Sequence, residues 1–137
     1  MMQTKSVVVI GISGKLIGVD AATGETRWEN NMKGGGYGAV GLAITDDKIF
    51  ASAASAMIFC LSYPDGEQLW TADTSASGRS SIVVEGDRVF VSKGGEIDCY
   101  TLDGKRVWSQ ALKGAGVGRT AIGVPHNVVQ SDDYGSQ

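Results

Sequence analysis

Two glycine-arginine pairs, Gly78-Arg79 and Gly118-Arg119, stand 40 residues apart, and glycine-rich loops of similar spelling, "KGGGYG" and "KGAGVG", recur in the same sequence. An arginine fork beside glycine backbone suits carboxylates or phosphates, because the guanidinium donates in parallel and bare N–H groups can approach an anion closely. Arg79 and Arg119, with Tyr37 and Ser80 nearby, are therefore the candidate ligand-binding residues, and a small anion is the expected ligand. The alternative is structural: these arginines pair with glutamates or backbone carbonyls of neighbouring elements. At the corresponding place the first unit reads "YGAVG", with Ala39 instead of arginine.

Other reactive side chains are sparse, and no catalytic residue is assigned. His126 is the only histidine, which excludes a histidine-based metal centre within one chain, and no metal site is expected. Asp46-Asp47 and Asp132-Asp133 read as turn and tail residues. Cys60 and Cys99 fit neither a metal spacing nor a secreted disulfide framework. "GYGAVG", residues 36 to 41, spells the dinucleotide fingerprint, but "LAITDDKIF" follows it as strand, turn and strand, where a helix N-terminus is required.

The elements that must hold these residues are short strands. Twenty glycines against two prolines in 137 residues is high for a helical protein, since glycine weakens element interiors and belongs in turns. The net charge of -3 gives no reason to expect nucleic acid or an anionic membrane as partner. No run approaches the roughly 20 apolar residues of a membrane-spanning helix. The apolar stretch Val7 to Ile12 is too short for a signal-peptide core; the expectation is a cytoplasmic protein, unless an export signal has been trimmed.

A repeat organises the chain. Trp28, Trp70 and Trp108 each follow a glycine by four residues, namely Gly24, Gly66 and Gly104. A second set, Gly38, Gly78 and Gly118, recurs every 40 residues. The middle unit runs "GLAIT", "KIFASA", "MIFCLS" and "EQLWTA", four strand-length runs separated by turn residues. The third unit repeats this pattern, with Asp103-Gly104 at a tight turn. Four-stranded antiparallel sheets at about 40 to 45 residues per unit predict an all-β fold, a β-propeller. The tryptophans would fill the wedge between successive sheets, and truncating one to alanine is expected to cost about 3–5 kcal/mol.

"GVDAATGETRW" resembles the tryptophan-docking motif of the PQQ-like (quinoprotein-type) β-propeller repeat, matching it at Gly18, Asp20, Thr23, Gly24 and Trp28. The second copy has Ser62 at the aspartate position; the third has Thr101 there and is one residue shorter in its turn. The resemblance spans nearly the whole chain and implies the fold, while the family includes dehydrogenases, assembly scaffolds and sensor domains. Enzymes of the family carry adjacent cysteines against the cofactor and a calcium site of acidic and amide side chains. This sequence has no adjacent cysteines, so no cofactor is expected. The reading is a non-catalytic binding or scaffolding propeller, with a small anion or a protein partner at the channel mouth. The alternatives are a relative or fragment of a PQQ-dependent oxidoreductase and a ligand-sensing module.

In that register Cys60 and Cys99 occupy the place of Gly18, a small buried site on the third strand. The strand count leaves a gap. "VVVIG" aligns with a second strand, Val7 falling opposite Ile49 and Val89, so the first unit lacks its first strand. "RTAIGV", residues 119 to 124, reads as a first strand with no complete sheet after it. Three blades cannot close a ring of four to eight. The expectation is a six-bladed homodimer formed by exchange of the C-terminal strand, residues 119–124 pairing with residues 7–12; the other possibility is a piece of a longer propeller. Residues 1–124 then form the three-blade unit and 125–137 a polar C-terminal tail.

Overall fold

Alternating apolar residues interrupted by glycine and aspartate turns fold into consecutive antiparallel meanders. The computed structural model describes residues 6–115 and 121–130. The first sheet holds β1 (Val7–Ile12), β2 (Lys15–Asp20) and β3 (Thr26–Asn30); the second holds β4 (Gly41–Ile44), β5 (Lys48–Ser52), β6 (Met57–Ser62) and β7 (Gln68–Asp73). The third consists of β8 (Ser80–Glu85), β9 (Arg88–Lys93), β10 (Glu96–Thr101) and β11 (Arg106–Gln110), and a hairpin of β12 (Ala121–Val124) and β13 (Asn127–Gln130) follows. These are propeller blades in series; among the described residues the first has three strands and the next two have four each.

The blades superpose in detail. Each has a register irregularity immediately after the small residue of its third strand: Gly18/Val19, Cys60/Leu61 and Cys99/Tyr100. That small residue pairs with the tryptophan in every blade, as Gly18↔Trp28, Cys60↔Trp70 and Cys99↔Trp108. The following turn closes by Gly24 N–H to Asp20 C=O and Gly66 N–H to Ser62 C=O, each at 2.9 Å, but by Gly104 N–H to Thr101 C=O at 3.1 Å. The third turn is thus one residue shorter, as its sequence indicates.

Two sequence expectations are corrected. Val8, not Val7, occupies the position of Ile49 and Val89, since the pairs are Val8↔Val19, Ile49↔Leu61 and Val89↔Tyr100. "VVVI" offers apolar residues at consecutive positions, so pattern alone does not fix its phase, and a slip of one residue exchanges the two faces. Residues 125–130 are not the start of a tail: Pro125 and His126 make a tight turn and Asn127–Gln130 pairs back on β12. Here Val124 and Ile122 find partners in Asn127 and Val129. Among the described residues β1 pairs with β2 alone.

Two apolar clusters lie between blades. Leu16 and Met32 of the first unit meet Ile49, Ala51, Phe59 and Leu61 of the second, with Val9 and Trp28 at the margin. Phe50, Ile58 and Cys60 of the second meet Ile82, Val89, Val91 and Tyr100 of the third, with Trp70 beside them. Opposite faces of β5 and β6 therefore feed different clusters, the period-two consequence of a strand buried on both sides. Each fully buried side chain of this size contributes roughly 1.5–3 kcal/mol by its removal from water.

Candidate functional site

The loops that carry a blade's outermost strand inward to the next blade form the candidate binding face. After β3 the chain runs through Met32, with φ 46°, then Gly34, Gly36 and Gly38, each at φ 87°. Side chains rarely adopt this left-handed backbone, so the glycine spelling follows from the path. The loop is tied down: Gly14 N–H donates to Gly38 C=O at 3.0 Å, Ser55 N–H to Gly35 C=O at 2.9 Å, and Ser55 Oγ–H to Gly34 C=O at 2.9 Å.

Beside it lies a cavity of about 520 Å³ whose lining includes Ser13, Gly14, Lys15, Gly34, Gly36 and Tyr37. Tyr37 is 82% exposed. Lys15 brings a cation that is shared with Glu29 at 2.9 Å. Glycine backbone, a phenol and a half-neutralised ammonium make a surface suited to polar or anionic groups, through hydrogen bonds more than through net charge. A second cavity of about 320 Å³ is bounded by Leu42, Ile44, Ile82, Val84 and Val129, apolar residues of the inner strands and of β13.

The other sequence-derived candidates fall elsewhere. Arg79 immediately precedes β8, is half-buried and is engaged by interactions of its own. Ser80 opens β8, and its Oγ–H donates to Ser52 C=O at 3.2 Å. Neither lines the Tyr37 cavity. Arg119 lies outside the described residues.

A residue the sequence reading passed over is Lys93. Its side chain is buried between the second and third blades, where Nζ donates to Ser52 Oγ at 2.8 Å, Ala53 C=O at 2.9 Å and Ser55 C=O at 2.6 Å. Burial pulls this ammonium down to about 8, opposed by the negative charge of Asp98. Pairing places Lys93 at the register of Ala53 and Ile12, so a charge at an otherwise apolar repeat position was the available signal. Asp98 is also buried and accepts from Ser75 N–H at 2.8 Å, Ser75 Oγ–H at 2.6 Å and Ser109 Oγ–H at 2.7 Å, with Arg106 at 3.6 Å. These polar groups join elements; their hydrogen-bonding capacity is spent on neighbours.

Cys60 and Cys99 are free and buried, one in each of two blades. Burial pushes the Cys60 thiol up to about 12 and raises that of Cys99. They do not supply adjacent thiols on an exposed surface, and among the described residues no three His, Cys, Asp or Glu side chains gather as a metal site.

Comparison with known proteins follows the repeat. A family model described as "Outer membrane protein assembly factor BamB" matches residues 13–134. No curated protein matches the chain in sequence. Among solved structures, BamB from Moraxella catarrhalis is similar at TM-score 0.67 and 29% identity over 91% of this chain and 40% of that one. A europium-containing methanol dehydrogenase is similar at TM-score 0.62 and 17% identity over 77% of this chain and 23% of that one. The computationally designed Ika4 protein gives TM-score 0.69 and 18% identity over 93% of this chain and 80% of that one. The chain thus spans less than half the length of the dehydrogenase and BamB structures.

Proposed function

Because this chain belongs to the PQQ-like β-propeller repeat family, whose matching model is described as outer membrane protein assembly factor BamB, we propose that it serves as a non-catalytic binding or scaffolding propeller. The observation that carries this reading is the Tyr37 loop: an exposed phenol on a tethered glycine backbone beside a cavity of about 520 Å³. Loops on a rigid blade scaffold are where such folds place recognition. The burial of Cys60 and Cys99 within separate blades supports the same reading over cofactor chemistry. Its ligand form is a small anion met by Arg79 at the start of β8, apart from the Tyr37 cavity and from Ser80, whose Oγ–H is given to Ser52 C=O.

Two measurements test it. Phosphate and citrate are titrated calorimetrically into the chain and into Arg79→Ala; binding weakened about tenfold in the variant is expected for a charged hydrogen-bonded contact, and unchanged affinity removes the anion site. Separately, the chain is incubated with PQQ and calcium and assayed for dye-linked alcohol oxidation. No dye reduction is expected; saturable PQQ uptake with turnover would overturn the non-catalytic reading.

A further inference from the structure

The turn between β5 and β6 lies between two inter-blade loops and is bonded to both. Ser55 gives its N–H to Gly35 C=O and its Oγ–H to Gly34 C=O, each at 2.9 Å, which fastens the loop that carries Tyr37. On the other side Ala56 C=O accepts from Thr74 N–H at 3.0 Å and Ala54 C=O from Gly78 N–H at 2.9 Å, which fastens the segment leading into Arg79. Ser80 Oγ–H reaches Ser52 C=O at the root of the same turn.

This turn differs from its counterparts. The register pairs are Ile10↔Ile17 in the first blade and Val91↔Asp98 in the third, but Ala51↔Phe59 in the second, so the second blade's turn is one residue longer. Its carbonyls at Ala53 and Ser55 meet the third blade, where buried Lys93 Nζ donates to them at 2.9 and 2.6 Å and to Ser52 Oγ at 2.8 Å. Ser52 Oγ is free to accept because its own proton goes to Met57 C=O at 2.6 Å. An ammonium has three N–H donors, and here three acceptors take them. All of these groups belong to the second and third blades and the loops beside the second, so neither end of the sequence contributes to the arrangement.

We propose that Lys93 is the positioning residue of the candidate binding face: a buried cation of the third blade that sets the β5–β6 turn, and through it the Tyr37 loop on one side and the Arg79 segment on the other. Its functional meaning rests on the reading of those loops as the binding face, while its geometry is testable without a ligand. A neutral amine keeps two N–H donors, so loss of the proton leaves one of the three acceptors without its bond and slackens the turn. Of the charged side chains on the elements packed around Nζ, Asp98 and Glu96 lie on β10, Asp73 ends β7 and Arg79 precedes β8, while residues 53–56 bring none. Burial holds the ammonium down at about 8, opposed by Asp98, which brings the change within a mild pH titration. Deprotonation relieves a buried charge and removes one donor from the turn, so the fold as a whole gains while the two loops loosen.

Nuclear magnetic resonance of the 137-residue chain, with no ligand present, tests it. The carbonyl carbons of Gly34 and Gly35 and the amide nitrogen of Gly78 are expected to follow one transition with a midpoint near pH 8, together with the carbonyl carbons of Ala53 and Ser55, and all are expected to stay flat in Lys93→Met. At neutral pH the Ser55 and Gly78 amides are expected to exchange at least about tenfold faster in Lys93→Met, as on loss of a charge-assisted hydrogen bond, while the amides of β2 keep their protection. A titration of Ala53 and Ser55 that leaves Gly34, Gly35 and Gly78 unmoved overturns the proposal, since Lys93 then anchors the turn alone. Unchanged exchange of Ser55 and Gly78 in Lys93→Met overturns it equally. Should that variant not fold, the wild-type titration decides by the same criterion. Absence of phosphate or citrate binding removes the anion reading and leaves these shifts as they are, so the two fail separately.

Discussion

The indole of Trp28 packs on Gly66 so closely that ring carbons fill the space a β-carbon would need, and the same indole donates to Pro64 C=O at 2.6 Å. A glycine here satisfies two demands at once, a left-handed backbone and room for the ring. Gly66→Ala is expected to destabilise the fold by about 3 kcal/mol, combining backbone strain with overpacking. Gly86→Ala, at φ +59° with open space around it, is expected to cost about 1 kcal/mol from strain alone. Urea denaturation of both variants measures the difference.

Lys93 predicts a particular pH dependence. Burial lowers it from 10.5 to about 8, whereas the unfolded chain retains that proton up to about 10.5. Between pH 8 and 10.5 the folded state therefore binds fewer protons, and this group makes stability rise with pH. Cys60 acts oppositely. Its pKa rises from 9.0 to about 12 on folding, so the stability it contributes is full below pH 9 and is lost as pH climbs towards 12. The test is the difference between wild type and Lys93→Met. A rise of at least about 1 kcal/mol across pH 8 to 10.5 is expected in the wild type relative to the variant.

The raised Cys60 thiol also makes a kinetic prediction. Thiolate is the reactive species, and this side chain is fully buried in the second inter-blade cluster. Ellman's reagent is expected to label Cys60 only as fast as the chain opens, with the rate rising in urea in parallel with unfolding. Rapid labelling in native buffer would contradict the packed junction.

Tyr63 clamps the entry of the first blade. Its hydroxyl accepts from Val7 N–H at 2.9 Å and donates to Val7 C=O at 2.8 Å, completing a strand edge with a side chain from the next blade. Tyr63→Phe is expected to cost about 1–2 kcal/mol and to accelerate amide exchange in β1 ahead of β5 and β9. Hydrogen-exchange mass spectrometry resolves that order.

The chain sequence by itself determined the repeat, the meander and the four-residue spacing of each tryptophan from its turn glycine, because these are local: turn residues, strand period and motif spacing are all written within about forty positions. It also indicated the one-residue shortening before Trp108. What only the tertiary structure decided depends on neighbouring blades. The phase of "VVVI" is set by which face meets Val40, Leu42 and Tyr63. The burial of Lys93 exists because three acceptors, Ser52, Ala53 and Ser55, converge from the adjacent sheet. The separation of Tyr37 from Ser80 likewise reflects loop paths in space, which residue order alone does not encode. Periodicity fixes what each strand can bury; the packing partner fixes what it does bury.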